Sequence, residues 1–199
     1  MCCEPLGRVA MDTRDFVLLS LSAFGGEITG RTLFQKRLYF LAALAGRQDE
    51  FGFRAHYYGP YSSAVADALG ELKALGFVEE TRIPLQGQGA GGFERNLFEI
   101  KLTDAGGRLA ERKMKSLADQ DSVLLDGARK IKDLPTANDY AKASIAAKVH
   151  YITVQKGEAW NTRAAAEEAR KYDWSLDPGA ADEAASFLER LGLVRVDRT

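Results

Sequence analysis

Two strand-like runs, Phe77 to Pro84 and Asn96 to Leu102, flank the segment LQGQGAGGFER, whose centre holds Gly87, Gly89, Gly91 and Gly92. Glycine loses the most backbone freedom on ordering, so such a tip cannot stabilise itself and must hang from a hairpin held elsewhere. The residues before it supply that support. Asp12 to Ala23 places Phe16, Leu19 and Ala23 on one side of a helix that Gly25-Gly26 ends. Thr29 is positioned to cap a second helix running to about Ala45. An aromatic connector, FGFRAHYYGPY at 51–61, contains Pro60, which stops any helix upstream. Ser62 or Ser63 caps a third helix, Ala64 to Leu75, which Gly76 terminates. Thr103 caps a fourth, Asp104 to about Leu117. Helix, helix, helix, strand, glycine-rich wing, strand, helix is the winged-helix order. The chain is read as mainly α with a small β-hairpin wing: a winged-helix core plus a C-terminal helical module.

The expected boundaries are a disordered tail at 1–10, a winged-helix domain at 11–118 and a helical C-terminal module at 119–199. Residues 1–10 have no helical or strand pattern, and Met11 would serve as an alternative start. In the C-terminal part, Asn138 to Gln155, Glu158 to Tyr172 and Pro178 to Gly192 have helical character, followed by a short strand, Leu193 to Val196. Leu134-Pro135-Thr136 reads as the joint. Leu72, Leu75, Gly76 and Val78 are echoed by Leu188, Leu191, Gly192 and Val194. The echo has two readings: an ordinary helix–glycine–strand joint, or a degenerate second winged helix.

Charge limits the partners. The net charge is −1; residues 1–118 carry 15 basic and 14 acidic side chains, and residues 119–199 carry 12 and 14. Neither part is a basic block of the kind a dedicated nucleic-acid binder presents, although a local stripe can hide in a neutral total. Cys2 and Cys3 are adjacent, and His56 and His150 are far apart, so neither a disulfide framework nor a cysteine–histidine zinc site is expected. A reducing, cytoplasmic setting without a membrane partner is the natural expectation, since the longest apolar stretch, Leu38 to Ala45, is far too short to span a bilayer.

Helix faces narrow the candidates. On the second helix Phe34, Leu38, Leu41 and Ala45 share an apolar face, with Lys36 opposite, in solvent. Arg37 falls inside the apolar sector, where it must reach a carboxylate or snorkel outward. On the third helix Val65, Ala68, Leu69, Leu72 and Leu75 point inward, leaving Ser63, Asp67, Gly70 and Ala74 outward. Base reading uses arginine, lysine, asparagine or glutamine, and none stands at the centre of that face. Phosphate contact would fall to Arg31, Lys36, Arg54, Arg82 and Arg95, with His56 beside them. Tyr57, Tyr58 and Tyr61, around Gly59-Pro60, would stack on bases, form a partner surface with Asp67, Gly70 and Ala74, or simply pack the turn onto the core.

No catalytic set is legible. GQGAGG lacks the lysine–serine/threonine ending of a phosphate loop and joins strands instead of opening a helix. A nucleophile elbow, HExxH and paired cysteine motifs do not occur, and the acidic pairs Asp49-Glu50, Glu79-Glu80 and Glu167-Glu168 diverge as sequence neighbours. The expectation is a non-enzyme without cofactor or metal.

Phe34, Gln35, Lys36 and Tyr39, followed by Tyr58, Gly59 and Pro60, give the chain a resemblance to the YwgA-like proteins and, more distantly, to the SocA-like Panacea antitoxin domain. It covers roughly residues 12–118. Arg37 departs from it, since an aliphatic residue is usual there. The resemblance implies a winged-helix-like fold, no enzymatic activity and, on the Panacea side, neutralisation of toxins by protein contact. Two functions are therefore expected. The leading one is a DNA-associated transcriptional regulator, acting as a homodimer that sets two wings on double-stranded DNA. The alternative is a non-enzymatic protein-binding module, antitoxin-like or an adaptor, whose partner is a protein such as a toxin.

Overall fold

The computed structural model describes residues 11–83, 97–117, 121–157 and 159–196. It is mainly helical, with a small three-stranded antiparallel sheet, compatible with a helical core carrying a β-hairpin wing.

Helix α1 (Thr13–Ala23) starts at Asp12, whose carboxylate accepts from the Asp15 amide. Strand β1 (Glu27–Thr29) follows, then α2 (Arg31–Leu44). Thr29 does not cap α2. It sits in β1, paired with Glu99, and Gly30 at φ 96° forms the helix entry. Helix α3 (Ser63–Ala74) is capped by Ser62, as its sequence predicts. Strands β2 (Val78–Ile83) and β3 (Leu97–Leu102) pair antiparallel from Val78↔Leu102 to Ile83↔Leu97, and the sheet order is β1-β3-β2. The glycine-rich tip and Arg95 lie outside the described residues. Helix α4 (Asp104–Leu117) crosses close to the strand entry: a Cβ on Gly106 would lie 2.0 Å from the Phe77 carbonyl oxygen, so only glycine permits that approach.

Helices α5 (Asp121–Lys132), α6 (Tyr140–Lys156), α7 (Thr162–Arg170) and α8 (Pro178–Leu191) complete the chain, with a 3₁₀ turn at Pro135–Asn138. Helix α5 had no counterpart among the expected elements. It packs on α1 and α2, while α6 packs on α2 and α8. The buried residues of both parts form one continuous cluster, joined for example by the Phe40 and Phe187 rings at 5.4 Å. Gly76 and Gly192 both turn at φ 75°, so the echo between α3 and α8 extends to the backbone. Beyond Gly76 lies a hairpin; beyond Gly192, Val196 makes an isolated parallel bridge to Trp160.

The position of α2 follows from this packing. Every residue from Leu33 to Ala42 is buried. One side faces α1 and the sheet, and the other is covered by α5 and α6. A polar triplet, Gln35-Lys36-Arg37, is thereby enclosed at the centre of the molecule.

Candidate functional site

Enclosed polar groups must find partners, because each one left bare costs about 1–3 kcal/mol. The triplet of α2 finds them in the backbone of three residues and in one side-chain amide. Gln35 donates from Nε2 to the Ser62 carbonyl at 3.0 Å, and its Oε1 accepts from the Ser62 amide at 3.1 Å. Lys36 Nζ donates to the Pro60 carbonyl at 2.6 Å. Arg37 donates to the Ala137 carbonyl at 3.0 Å and to Asn138 Oδ1 at 2.5 Å, and lies over the Phe24 ring. Two expectations are corrected here. Lys36 is 2% exposed, not in solvent, because α6 covers the side that a single-faced helix would expose. It therefore cannot reach a phosphate backbone. Arg37 reaches a carbonyl and an amide, not a carboxylate.

The aromatic turn is built onto this platform. Arg54 and Tyr61 exchange backbone hydrogen bonds, both 2.9 Å, closing the loop. Gly59 adopts φ +90°, and a Cβ there would stand 3.2 Å from both the Ser144 carbonyl oxygen and Lys148 Cγ on α6. Trp174 Nε1 donates to the His56 carbonyl at 2.8 Å. The turn is thus held from three directions, by α2, α6 and Trp174. Its backbone is fixed while Tyr57 remains 68% exposed. Tyr58 packs edge-on against Tyr57, and His56 lies beside Tyr61.

Behind Lys36, Tyr39 meets His150 on α6, with the hydroxyl 2.8 Å from Nδ1. Gln48 Nε2 approaches the same nitrogen, so Nδ1 accepts and the tyrosine donates. Burial lowers the His150 pKa to about 4 and raises that of Tyr39, so both are neutral near pH 7.

A second polar cluster lies where α2, α3 and β2 meet. The Glu80 side chain is 4% exposed and receives Arg31 through Nε at 2.6 Å and Nη2 at 2.8 Å, and Lys73 through Nζ. The Arg31 guanidinium also sits 4.0 Å from the Phe98 ring centroid. Hydrogen bonds from Arg31 lead the causes that hold the Glu80 carboxyl down at about 2, from an ordinary 4.5. A depressed folded pKa means that the unfolded chain binds the proton more readily, so this stabilisation is present above pH 4.5 and lost as pH falls towards 2. Glu80→Gln is expected to lower stability by about 2 kcal/mol at pH 7, moderated by solvent at Arg31, and to have no effect at pH 2. Urea melts of both forms at the two pH values measure it.

Between the turn and this cluster lies a pocket of about 340 Å³. Phe34, Ala66, Leu69 and Gly70 supply its apolar side, and Lys36 from α2 and Tyr58 and Tyr61 from the turn also line it. The sequence-predicted candidates are distributed around it. Tyr58, Tyr61, Gly70, Arg31 and Lys36 line it; Asp67, Ala74 and Tyr57 are exposed nearby in the chain; Arg54 and Arg82 are exposed and do not line it. Leu75, expected inward, is 60% exposed, because Gly76 turns the chain so that Val78 is buried instead. Gln35 and Tyr39 entered the sequence reading only as motif residues, Glu80 as one of an acidic pair and His150 as an isolated histidine, none with its partner, and Trp174 did not enter it at all. Their partners lie up to 118 positions away, and no local pattern announces them.

Compared with known protein-family models and with curated proteins, the chain matches none. No helix among the described residues is long and apolar enough to cross a membrane. Among the same residues, no group of three or more histidine, cysteine or acidic side chains is placed to hold a metal ion.

Proposed function

We propose that the chain is a non-catalytic binding module whose partner is a protein, met through the tyrosine turn and the outward face of α3. The observation that carries this reading is the composition of that face. Ser63, Asp67, Gly70, Glu71 and Ala74 are exposed there, a surface of small and acidic side chains. Asp67 repels phosphate and Glu71 is paired with Arg14 at 3.5 Å, while small residues let a partner helix approach closely. The cations at the border do not reverse this, since Arg31 and Lys73 are bound to Glu80 and Lys36 is buried. Tyr57 adds a large exposed ring on a rigid turn, the kind of anchor that interfaces favour. A partner offering basic side chains and an apolar ridge complements it, and a toxin is the type that the family resemblance implies.

The regulator reading keeps two exposed cations, Arg54 and Arg82, on its side. Fluorescence anisotropy with a random 30-base-pair duplex separates the readings. Under the protein-partner reading, Kd at physiological salt is no tighter than about 10 µM, within the range of non-specific binding. Nanomolar, salt-sensitive binding that Arg54→Glu and Arg82→Glu abolish would overturn it. The positive arm is co-purification of a stoichiometric protein partner that Asp67→Arg with Tyr57→Ala eliminates.

A further inference from the structure

Lys36 is an unusual group to enclose. Its side chain lies within the core, and its partner there is the Pro60 carbonyl, which carries no charge. No carboxylate pairs with it among the described residues, and Lys148 on α6 adds like charge. The Pro60 bond uses one of the three donors of an ammonium. The same side chain lines a 340 Å³ pocket whose other walls include Phe34, Tyr58, Tyr61 and Leu69. That volume falls at the lower end of small-ligand sites, and an aromatic wall with one convergent charge is their usual make-up. The single carboxylate on the lining, Glu80, is already taken by Arg31 and Lys73.

We infer that this pocket is a binding site for a small aromatic carboxylic acid, its ring against Phe34, Leu69 and the turn tyrosines and its carboxylate on Lys36 Nζ. The anion supplies the counter-charge that the fold omits, and the ring fills the apolar space between α2 and α3. This inference does not rest on the protein-partner reading. The pocket is complete within one chain, so it is testable on the isolated protein whatever that partner is.

The groups facing Lys36 give the site a pH dependence. Lys148 comes from α6, Tyr58 and Tyr61 from the turn, and Arg31, Lys73 and Glu80 from the other rim, with His56 beside them. Burial, then Lys148, brings the Lys36 pKa down to about 7. Affinity for an anion is therefore greatest below that value and falls as the ammonium loses its proton.

Isothermal titration with indole-3-acetate at pH 6 tests the site, with indole-3-acetamide as the uncharged control. Two variants accompany it. Gly70→Leu fills the pocket from α3, where an added Cβ meets nothing within 4 Å, so the helix tolerates it. Lys36→Met removes the charge. Saturable binding of the acid is expected, weaker by about tenfold or more for the amide and for each variant, and weaker in the wild type at pH 9 than at pH 6. The inference is overturned if the acid does not saturate the protein, if the amide binds equally well, or if Gly70→Leu leaves the affinity unchanged.

Discussion

Lys36→Met is expected to make the protein more stable at pH 6, by about 4 kcal/mol, although it removes a hydrogen bond from the core. The sign follows from linkage. Lys36 has a folded pKa of about 7 against an ordinary 10.5. Between those values the unfolded chain holds the proton and the folded one does not, so wild-type stability rises with pH across the window and is lost as pH falls towards 7. Below 7 both states are charged and the full cost of enclosing the ammonium is present, on the order of 5 kcal/mol for a shift of that size. Methionine removes that cost but leaves the Pro60 carbonyl bare, which takes back about 1 kcal/mol. Above pH 10.5 only the second effect remains, and the variant becomes the less stable protein. Urea melts from pH 6 to 10.5 should show the two stability curves crossing. Parallel curves would mean that Lys36 is solvated.

Arg37→Ala should act in the opposite direction, lowering stability by about 3 kcal/mol at neutral pH. Burial lowers the Arg37 pKa too, but the guanidinium makes two hydrogen bonds and stacks over Phe24, and it borders an open cleft near Lys132 and Tyr140. Its charge is thus far better accommodated than that of Lys36. Truncation strands the Ala137 carbonyl and Asn138 Oδ1 and leaves a cavity against α1. The 3₁₀ turn at Pro135–Asn138 should loosen first, and hydrogen exchange at the amides of Ala137 and Asp139, which bond within that turn, reports it. Loss of protection spread evenly over the chain would count against a local anchor.

These two neighbours also show where sequence reasoning holds and where it stops. Local signals carried well. Ser62 and Thr103 cap the helices they precede, Gly76 ends α3, and Phe34, Leu38 and Leu41 form a buried face. Strand β1 escaped notice because three residues have no measurable alternation, and only pairing with β3 makes them a strand. Lys36 was misplaced for a different reason. A helical wheel assigns polar residues to water by assuming one buried side, and α2 has none exposed along Leu33–Ala42. The pocket was legible only in fragments: Tyr58, Tyr61 and Gly70 were singled out, but not as walls of one space. Glu80, which settles what Arg31 is doing, belongs to an acidic pair that looks solvated in one dimension. Tyr39 and His150 are 111 positions apart, and neither is informative without the other.

The enclosure of α2 also sets a schedule for synthesis. Chains emerge from the ribosome N-terminus first, and folding proceeds on what has already appeared. Gln35 and Lys36 meet their partners, at 60–62, soon after they emerge. Arg37 and Tyr39 wait about a hundred residues more, until Ala137, Asn138 and His150 are out. During that interval α1 to α4 have been synthesised, yet the side of α2 that α5 and α6 cover still lacks both helices. A pause in translation anywhere between α4 and α6 would prolong the time for which that side of α2 waits for its cover.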